Sequence, residues 1–360
     1  MNKDFQLDGR SFDRDQLLEY CHRGAGDKEY PEWKKEVLAF IDLFLDPSRG
    51  EVIQKTSGTT GDPRIHILHR QSLIRSARKT LDFFKLAPGD RVLHCLPMRY
   101  VAGKLMVVRA LVGGLDLVLT EPSGRPARDL KEALAFAAMV PLQVHESLVH
   151  GDDFANISTL LIGGGKLQYA SLKHLSRLEQ TAVYESFGMS ETYTHFALKR
   201  ISGPNPDRGF RVFEGVEISQ DQRNCLVVDV QGITEGPVTT NDLVEIDPSG
   251  QMFKWLGRYD HVINSGGIKI IPEMLEQQIR LVIRQNSLVL PEPDDRLGSR
   301  LVLLVETTEE NPPLEEWFEA MKAILPAYEL PKHIYTTPEI PRNSSMKMDR
   351  LAAQKFLPGH

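Results

Sequence analysis

The 360-residue sequence predicts an α/β protein with a large N-terminal α/β domain and a small, mobile α+β domain at the C-terminus. The chain is longer than one hydrophobic core usually serves, which favours two domains. In its first half, short apolar runs alternate with segments of helical period, a pattern typical of a largely parallel sheet covered by helices. After Asn241 the pattern changes to glycine-rich turns. We therefore expect domains at residues 1–257 and 258–360, with the boundary near Gly257–Asp260.

The predicted elements follow the chain in order. Residues 1–50 have an amphipathic helical pattern, clearest over 33–45. In the large domain, strands are predicted at 91–96, 115–120, 159–162 and 182–185, and helices at 71–85, 103–112, 127–139 and 168–179. In the small domain, a helix is predicted at 272–283, where Pro272 suits the first helical position. A strand at 301–306, a helix at 314–325 and a strand at 333–336 complete it.

Composition excludes several classes of protein. The formal charge is −6, without an acidic or basic tail, which argues against bulk binding to nucleic acid or to an anionic membrane. No apolar run approaches the roughly 18–20 residues of a membrane-spanning helix, and the N-terminus lacks a signal-peptide core. Three widely spaced cysteines, Cys21, Cys95 and Cys225, form no CxxC pair, so neither a disulfide framework nor a zinc site is expected. We expect a cytoplasmic protein with small-molecule partners.

The first stretch that carries chemistry is rich in glycine and hydroxyl groups. It comprises Thr56, Ser57, Gly58, Thr59, Thr60 and Gly61, followed after two residues by Arg64. Such a segment lets backbone N–H groups approach an anion, and the hydroxyls add donors. It lacks the GxxxxGK[ST] spacing of a Walker A loop. Taken alone, it fits a structural turn as well.

A second stretch runs from a predicted strand into a turn that carries an aromatic ring, hydroxyls and carboxylates. Its residues are Glu185, Ser186, Phe187, Gly188, Ser190 and Glu191. This turn could stack a base, donate to a phosphate and hold a hard divalent ion. The alternative is an ordinary helix N-terminus with a glutamate in its first turn. Upstream, three glycines, Gly163, Gly164 and Gly165, follow another predicted strand.

The remaining two stretches lie near and within the small domain. The first contains Asp242, Arg258, Asp260 and the pair Gly266–Gly267. An aspartate can accept both ribose hydroxyls, and an arginine can neutralise a phosphate. The second is the tail PRNSSMKMDR, in which Lys347 reads by itself as a solvated surface charge.

In order and spacing, the four stretches resemble the adenylate-forming superfamily of acyl-CoA synthetases, peptide-synthetase adenylation domains and luciferases. The resemblance implies ATP, Mg²⁺ and coenzyme A as ligands. It implies phosphate binding by residues 56–61 and Arg64, an adenine-lining loop at 163–165, and further ATP contacts from 185–188. It further implies that Ser190 donates to phosphate, Glu191 binds Mg²⁺, Asp242 binds ribose, and Arg258 contacts ribose and phosphate. By the same resemblance Asp260 is the hinge, Gly266–Gly267 line the coenzyme A channel, and Lys347 assists adenylation.

Several positions depart from the superfamily pattern. Arg64 stands where a lysine is usual, Ser190 replaces threonine, and Met346 replaces the glycine before Lys347. Only 55 residues precede Thr56, so the sequence resembles a form shortened at its N-terminus.

The acid substrate is suggested by a segment with the sequence LPMRYVAGKL, where relatives often read PLxHxxG and Tyr100 stands at the histidine position. Together with the MVPLQ and WLGR motifs, it resembles o-succinylbenzoate–CoA ligases of menaquinone biosynthesis. That acid carries a ring, a ketone and a second carboxylate, so its pocket needs donors among apolar walls. Arg99, Tyr100, Lys104 and His195 are the candidates to meet it. For Arg99 and Lys104 the alternative is a solvated surface charge, and for His195 a structural histidine.

Three functional alternatives stay open at this stage. They are another aryl- or acyl-CoA ligase, an adenylation enzyme that loads a carrier protein, and a degenerate member that only binds nucleotide. A homodimer is an open alternative for the oligomeric state.

Overall fold

The computed structural model describes residues 1–56, 64–189, 191–342 and 348–358, without the side chains of Lys55, Thr56, Arg64 and Tyr169. The predicted site residues Ser57 to Gly61, Ser190 and Lys347 therefore lie outside the described residues. The chain divides into two compact units. Unit 1 comprises Met1–Glu217 and Asp229–Val238, and unit 2 comprises Ile218–Val228 and the chain from Thr239 onward.

Unit 1 contains strands and helices in alternation. They are β1 (Gln6–Leu7), β2 (Arg10–Ser11), α1 (Arg14–Ala25), α2 (Glu32–Leu45), β3 (Glu51–Thr56), β4 (Arg64–His69), α3 (Arg70–Phe84), β5 (Arg91–His94), α4 (Val101–Gly113), β6 (Asp116–Leu119), β7 (Leu134–Met139), α5 (Pro141–Val149), β8 (Ile157–Ile162), α6 (Tyr169–Leu175), β9 (Ala182–Gly188), β10 (His195–Arg200) and β11 (Phe210–Val212). Strands β12 (Val216–Gln220), β13 (Cys225–Val230) and β14 (Val238–Ile246) cross the unit boundaries.

The sheet of unit 1 has the strand order β11-β10-β9-β8-β7-β5-β6-β1-β2. From β9 to β1 all neighbouring strands are parallel, whereas β10, β11 and β2 pair antiparallel. Strands β3 and β4 form a separate antiparallel hairpin. Parallel strands are covered on both faces, and the fully buried side chains accordingly include Phe136 of β7, Leu93 of β5 and Met106 of α4.

Most predicted elements of unit 1 are confirmed within a few residues, and one is wrong. The predicted helix at 127–139 is instead a loop followed by strand β7. Its alanine- and leucine-rich sequence suits a helix, but β7 lies between β5 and β8 in the sheet, and burial on both faces overrides that propensity. The strand predicted at 182–185 continues to Gly188, so Ser186 and Phe187 lie in β9 rather than in a turn.

Unit 2 continues with β15 (Met252–Arg258), β16 (Ile263–Ser265), β17 (Ile268–Ile270), α7 (Pro272–Ile279), β18 (Ser287–Asp294), β19 (Gly298–Glu306), α8 (Leu314–Lys322), β20 (Ile334–Thr337) and α9 (Arg350–Gln354). Strands β14 and β15 pair antiparallel. Strands β18, β19 and β20 form a three-stranded sheet. The α+β character predicted for the C-terminal region is confirmed.

Alternating side chains of the three-stranded sheet build two cores in unit 2, one on each face, because successive residues of a strand point to opposite sides. One core joins Val289, Leu301, Leu303 and Val305 to helices α7 and α8. The other joins Leu288, Leu290, Val302 and Leu304 to Ala353 of α9. The sheet thereby holds α7 on one face and α9 on the other.

Unit 2 extends further upstream than the C-terminal domain expected from the sequence, since it includes β14 and β15. The division into compact units does not show where the C-terminal domain would rotate. The predicted domain boundary at 257/258 therefore stays a prediction. The three cysteines are free thiols and buried. No helix among the described residues is long and apolar enough to cross a membrane.

Candidate functional site

The carboxyl ends of the parallel strands β5, β7, β8 and β9 meet at one edge of the unit 1 sheet, the edge where open α/β sheets usually bind ligands. Three predicted segments leave this edge. Residues 99–104 follow β5, residues 163–165 follow β8, and residue Glu191 follows β9. The register pairs Ile162 of β8 with Glu185 of β9, so residues 163–165 start beside the last residues of β9, which lead to Glu191. Segments far apart in the sequence are thus brought together.

Two glycines hold the segments after β8 and β9 close to their neighbours. A Cβ at Gly188 would lie 2.5 Å from the Cα and 2.7 Å from the backbone N of His195 in β10. A Cβ at Gly163 would clash with the Oγ of Ser186, which donates to the carbonyl of Ile162 at 3.2 Å. Gly164 has φ +82°, a conformation that favours glycine. Packing therefore requires glycine at 188, where the obstacle is backbone, whereas at 163 the Ser186 hydroxyl would have to move.

Strand β9 presents one charged and one aromatic side chain from the predicted ATP site. Glu185 lies 3.9 Å from the ammonium of Lys199. Burial raises the pKa of Glu185, and the charges of Lys199 and Lys166 oppose this. The Phe187 ring packs edge-on against Phe196 at 5.7 Å and Phe210 at 5.1 Å between centroids. These two ring contacts hold the Phe187 side chain in place.

Glu191 differs from Glu185 because it is exposed and makes no hydrogen bond or ion pair with any described residue. The loop that carries it includes Tyr193 with φ +60°, a strained conformation for a residue with a side chain. Thr192 is buried, and its hydroxyl donates to the carbonyl of Thr194 at 2.7 Å and accepts from the backbone N–H of Met189 at 3.2 Å. The loop is thus held from inside, while the carboxylate of Glu191 stays available.

The predicted phosphate loop lies between β3 and β4. The hairpin register pairs Thr56 with Arg64, so these residues mark the two ends of the segment 57–63. The structure describes no part of that segment, and its phosphate-binding role stays a prediction.

The segment after β5 is clamped by Gln54 of β3. The Gln54 amide donates to the carbonyl of Arg99 at 2.7 Å and accepts from the ammonium of Lys104 at 2.7 Å. Lys104 also donates to the carbonyl of Met98 at 2.8 Å. Burial lowers the pKa of Lys104, while the charge of Glu36 opposes this. The Lys104 ammonium is therefore partly buried and hydrogen-bonded within the protein, rather than solvated at the surface.

Arg99 and Tyr100 are exposed, and the guanidinium lies 4.9 Å from the centre of the Tyr100 ring. Gly103 is required in this turn, because a Cβ there would lie 2.6 Å from the carbonyl oxygen of Pro97.

Helix α4 buries an arginine that sequence reasoning did not select. Arg109 is 2% exposed, and burial lowers its pKa to about 10. Its Nη1 donates to the sulfur of Met106 at 3.3 Å, and its Nε has no hydrogen-bond partner. Among the described residues no carboxylate lies within 4.0 Å of it.

His195 lies near Arg109, at the start of β10. Its Nε2 is 3.4 Å from the hydroxyl of Thr80, and its Nδ1 is 3.2 Å from the hydroxyl of Thr194. Burial lowers the pKa of His195 well below its ordinary value, and the charge of Arg109 lowers it further. The imidazole is therefore neutral at pH 7. The Oγ of Ser76, 1% exposed, lacks a hydrogen-bond partner one helical turn before Thr80.

In unit 2 the strand pair β14–β15 places the predicted nucleotide-binding residues opposite each other. Asp242 pairs in register with Arg258, and the indole Nε1 of Trp255 donates to Asp242 at 2.9 Å. Arg258 donates two hydrogen bonds to Asp260, at 2.9 and 3.1 Å. Asp260, the predicted hinge, lies in a single turn of 3₁₀-helix at Tyr259–His261.

The glycine pair forms a two-residue hairpin turn between β16 and β17, where Ser265 pairs with Ile268. Gly266 has φ +60° and Gly267 has φ +86°, as a type I′ turn requires. Gly266 donates to the carbonyl of Leu297 at 3.0 Å. The turn is therefore rigid and presents bare backbone.

Sequence reasoning missed a buried charge network around α7. Glu273, 5% exposed, accepts from His261 Nδ1 at 2.5 Å and lies 3.5 Å from Arg350. Arg350 also donates to Glu276 at 2.6 Å. A Cβ at Gly257 would lie 2.5 Å from Ile271 and would clash with Glu273. The glycine of the WLGR motif is thus required by the network beneath it.

The sequence pattern of the AMP-binding enzyme family matches residues 22–231, more than half of the chain. A 2-succinylbenzoate–CoA ligase of Listeria monocytogenes is 26% identical over 328 residues, which cover 85% of this chain and 70% of that protein.

Solved structures agree with the sequence comparison. The structure of an acyl-CoA synthetase (AMP-forming)/AMP-acid ligase II-like protein from Dyadobacter fermentans is 32% identical, with a TM-score of 0.62, over 94% of this chain and 98% of that chain. E. coli MenE with a bound m-phenylether-linked analogue of OSB-AMS is 22% identical, with a TM-score of 0.67, over 84% and 68% respectively. At 22% identity, the similarity to E. coli MenE shows a shared fold.

Proposed function

Because the chain belongs to the family of AMP-binding enzymes, we propose that it activates o-succinylbenzoate with ATP and transfers the acyl group to coenzyme A, in menaquinone biosynthesis. Support comes from relatives over most of the chain that carry the name 2-succinylbenzoate–CoA ligase. The arrangement of segments at one sheet edge in unit 1 and of Asp242 beside Arg258 in unit 2 is compatible with this chemistry. A cytoplasmic location and a homodimer remain predictions.

The observation that carries the choice of acid is the buried guanidinium of Arg109. A buried cation without a carboxylate partner is costly, and buried polar groups are normally satisfied. A guanidinium suits a carboxylate through two parallel hydrogen bonds. Neutral His195 and the hydroxyl of Thr80 can add hydrogen bonds, and Phe213, whose ring lies 5.4 Å from His195, offers an apolar wall. A dicarboxylate with an aromatic ring matches these groups better than a fatty acid does.

In the first half-reaction, a carboxylate oxygen of the acid attacks the α-phosphorus of ATP. A C–O–P bond forms, the bond to the pyrophosphate oxygen breaks, and pyrophosphate leaves. Positioning and charge neutralisation govern such steps. Asp242 is the proposed ribose acceptor, oriented by Trp255, and Lys347 is the proposed cation at the α-phosphate.

Mg²⁺ fits the residues present. It is usually held by one or two carboxylates together with substrate phosphates, so a dedicated cluster of protein ligands is unnecessary. Glu191 supplies an exposed carboxylate without a partner among the described residues. No larger cluster of metal ligands occurs in the part of the chain that is described. When bound there, Mg²⁺ would neutralise phosphate charge, and Glu191 would hold it.

In the second half-reaction, the sulfur of coenzyme A attacks the acyl carbon of the adenylate. A C–S bond forms, the C–O bond to AMP breaks, and the thiol proton is released. The Gly266–Gly267 turn is the proposed wall of the pantetheine channel, because it lacks side chains and is rigid. Asp260 is the proposed hinge between the half-reactions.

The test of the acid is a ligase assay with o-succinylbenzoate, benzoate, phenylacetate and a fatty acid. We expect selectivity for o-succinylbenzoate. An Arg109→Met variant should lose about 10²-fold or more in kcat/KM for this acid and little for benzoate, because only the former would leave a carboxylate unpaired. Arg125→Met removes an arginine paired with Asp152 elsewhere in unit 1 and serves as the control. Absence of selectivity in the wild type would overturn the substrate.

A Lys347→Ala variant separates the half-reactions. Adenylation, measured as carboxylate-dependent pyrophosphate exchange, should fall about 10²–10³-fold, while thioester formation from supplied acyl-adenylate should persist. Equal loss of both steps would contradict the role of Lys347. Thioester formation only on a carrier protein, or ATP binding without any exchange, would replace the proposed function by one of the two other classes.

A further inference from the structure

The charge network around α7 links residues from three separate parts of unit 2. Arg350 donates to Glu276 Oε1 at 2.6 Å and to the carbonyl of Val289 at 3.0 Å, and lies 3.5 Å from Glu273 Oε1. Glu276 Oε1 also accepts from the backbone N–H of Val289 at 2.9 Å. His261 donates to Glu273. We call these four side chains, His261, Glu273, Glu276 and Arg350, the α7 network.

The network depends on Arg350. Glu273 is 5% and Glu276 is 3% exposed, and buried carboxylates need cations or several hydrogen bonds. Burial alone would raise the pKa of Glu273, but the hydrogen bond from His261 and the charge of Arg350 lower it overall. Arg350 is the cation that contacts both carboxylates, and its removal leaves Glu276 without an ion pair within 4.0 Å among the described residues, with the charge of Arg280 farther away.

The network also joins two segments that the proposed reaction uses. Arg350 begins α9, three residues after Lys347. Residues 342 and 348, which flank the segment 343–347, form an antiparallel bridge, and Asp349 donates its N–H to the carbonyl of Pro341 at 2.8 Å. On the other side, His261 follows Asp260 in the 3₁₀ turn, and Asp260 binds Arg258. Glu273 lies between the two segments.

We propose that Arg350 is a positioning residue for the adenylation step, holding the base of the Lys347 segment to the same helix that holds the Arg258–Asp260 turn. The inference rests on the proposed function. Arg350 acts through Lys347 and contacts no substrate itself. Its loss should therefore weaken the half-reaction that needs Lys347 and leave the other half-reaction nearly unchanged.

A matched control exists in the same unit. Arg300 donates to Glu292 at 2.5 Å, and Glu292 is 5% exposed and accepts from the hydroxyl of Tyr335 at 2.8 Å. Arg300→Met thus also removes a cation from a buried glutamate. The Arg300–Glu292 pair joins β18 and β19 and contacts none of the four side chains of the α7 network. Any effect of lost stability alone should appear in Arg300→Met as well.

The experiment compares the wild type with Arg350→Met, Arg350→Lys and Arg300→Met. Pyrophosphate exchange reports adenylation, thioester formation from supplied acyl-adenylate reports the second half-reaction, and thermal unfolding reports stability. For Arg350→Met we expect the kcat of pyrophosphate exchange to be about 10²-fold lower. The KM for ATP, and the rate of thioester formation from supplied acyl-adenylate, should stay within about threefold of the wild type. Arg350→Lys should recover part of the loss, since lysine keeps the charge but not the forked geometry.

The outcomes are distinguishable. If Arg350→Met and Arg300→Met lose exchange equally, or if Arg350→Met loses both half-reactions equally, the positioning role is overturned while the proposed function stands. If the wild type shows no carboxylate-dependent exchange, the proposed function fails and the inference fails with it. If Arg350→Met does not fold, Arg350→Lys decides: a loss confined to exchange supports the role, and an unchanged exchange rate overturns it.

Discussion

Replacing glycines of unit 1 by alanine gives a graded test of how tightly the predicted nucleotide-binding segments are packed. At Gly188 the added Cβ meets backbone atoms of His195 at 2.5 and 2.7 Å, so strand β10 itself must move. At Gly163 the obstacle is the hydroxyl of Ser186, which can rotate away. At Gly124 the nearest atom is a side-chain carbon 3.5 Å away, an ordinary contact.

The geometry sets the expected magnitudes. Overpacking typically costs about 1–3 kcal/mol, and Gly188→Ala should lie at the upper end because backbone cannot yield cheaply. At about 2–4 °C per kcal/mol for a domain of this size, Tm should fall by about 6–12 °C. Gly163→Ala should cost about 1 kcal/mol, the value of the hydrogen bond from Ser186. Gly124→Ala should stay within about 0.5 kcal/mol of the wild type.

The assay is thermal unfolding followed by circular dichroism, together with carboxylate-dependent pyrophosphate exchange at saturating ATP. Gly188→Ala should also lose the most exchange activity, because the displaced strand end carries the loop with Glu191. Equal Tm values for Gly188→Ala and Gly124→Ala would refute the close approach of β9 and β10. A stability loss at Gly188 without an activity loss would refute its link to the catalytic loop.

Two further substitutions test a buried histidine and a half-buried tryptophan. Burial lowers the pKa of His94 to about 4, whereas an unfolded histidine titrates near 6.5. The unfolded chain therefore binds the extra proton, and wild-type stability should fall by up to about 1.4 kcal/mol per pH unit between pH 6.5 and 4. In urea titrations His94→Leu should reduce this slope; parallel slopes would contradict a buried neutral imidazole. Trp255→Phe removes the donor to Asp242 and should raise the KM for ATP about tenfold, unlike Trp317→Phe in the unit 2 core.

The sequence was sufficient for the α/β fold because its strands are short apolar runs that need burial on both faces. It failed at β7, whose composition favours a helix and whose strand state depends on β5 and β8, far away in the chain. The predicted strand at 182–185 was also too short, since Ser186 and Phe187 look like turn residues until neighbouring strands are placed beside them.

For the site, the motifs located the segments but not the partners of their side chains. Lys104 was a candidate for the acid substrate with a surface charge as the alternative, and only the fold brings Gln54 to its ammonium. Arg109 carried a usable signal, because it interrupts the otherwise apolar run MVVRALV of α4. The sequence carried no comparable signal for the α7 network. Glu273 and Arg350 lie 77 positions apart, and each has an ordinary local sequence.

The shared edge of parallel strands in unit 1 has a consequence for how such a chain can diversify. Each segment at that edge follows a different strand. The segment after β5 carries Arg99 and Tyr100, and the segment after β8 carries Gly163. In the sheet, β7 lies between β5 and β8, so these two segments are separated by a buried strand. Acid preference could therefore drift, or be engineered by grafting, while the nucleotide machinery is inherited intact.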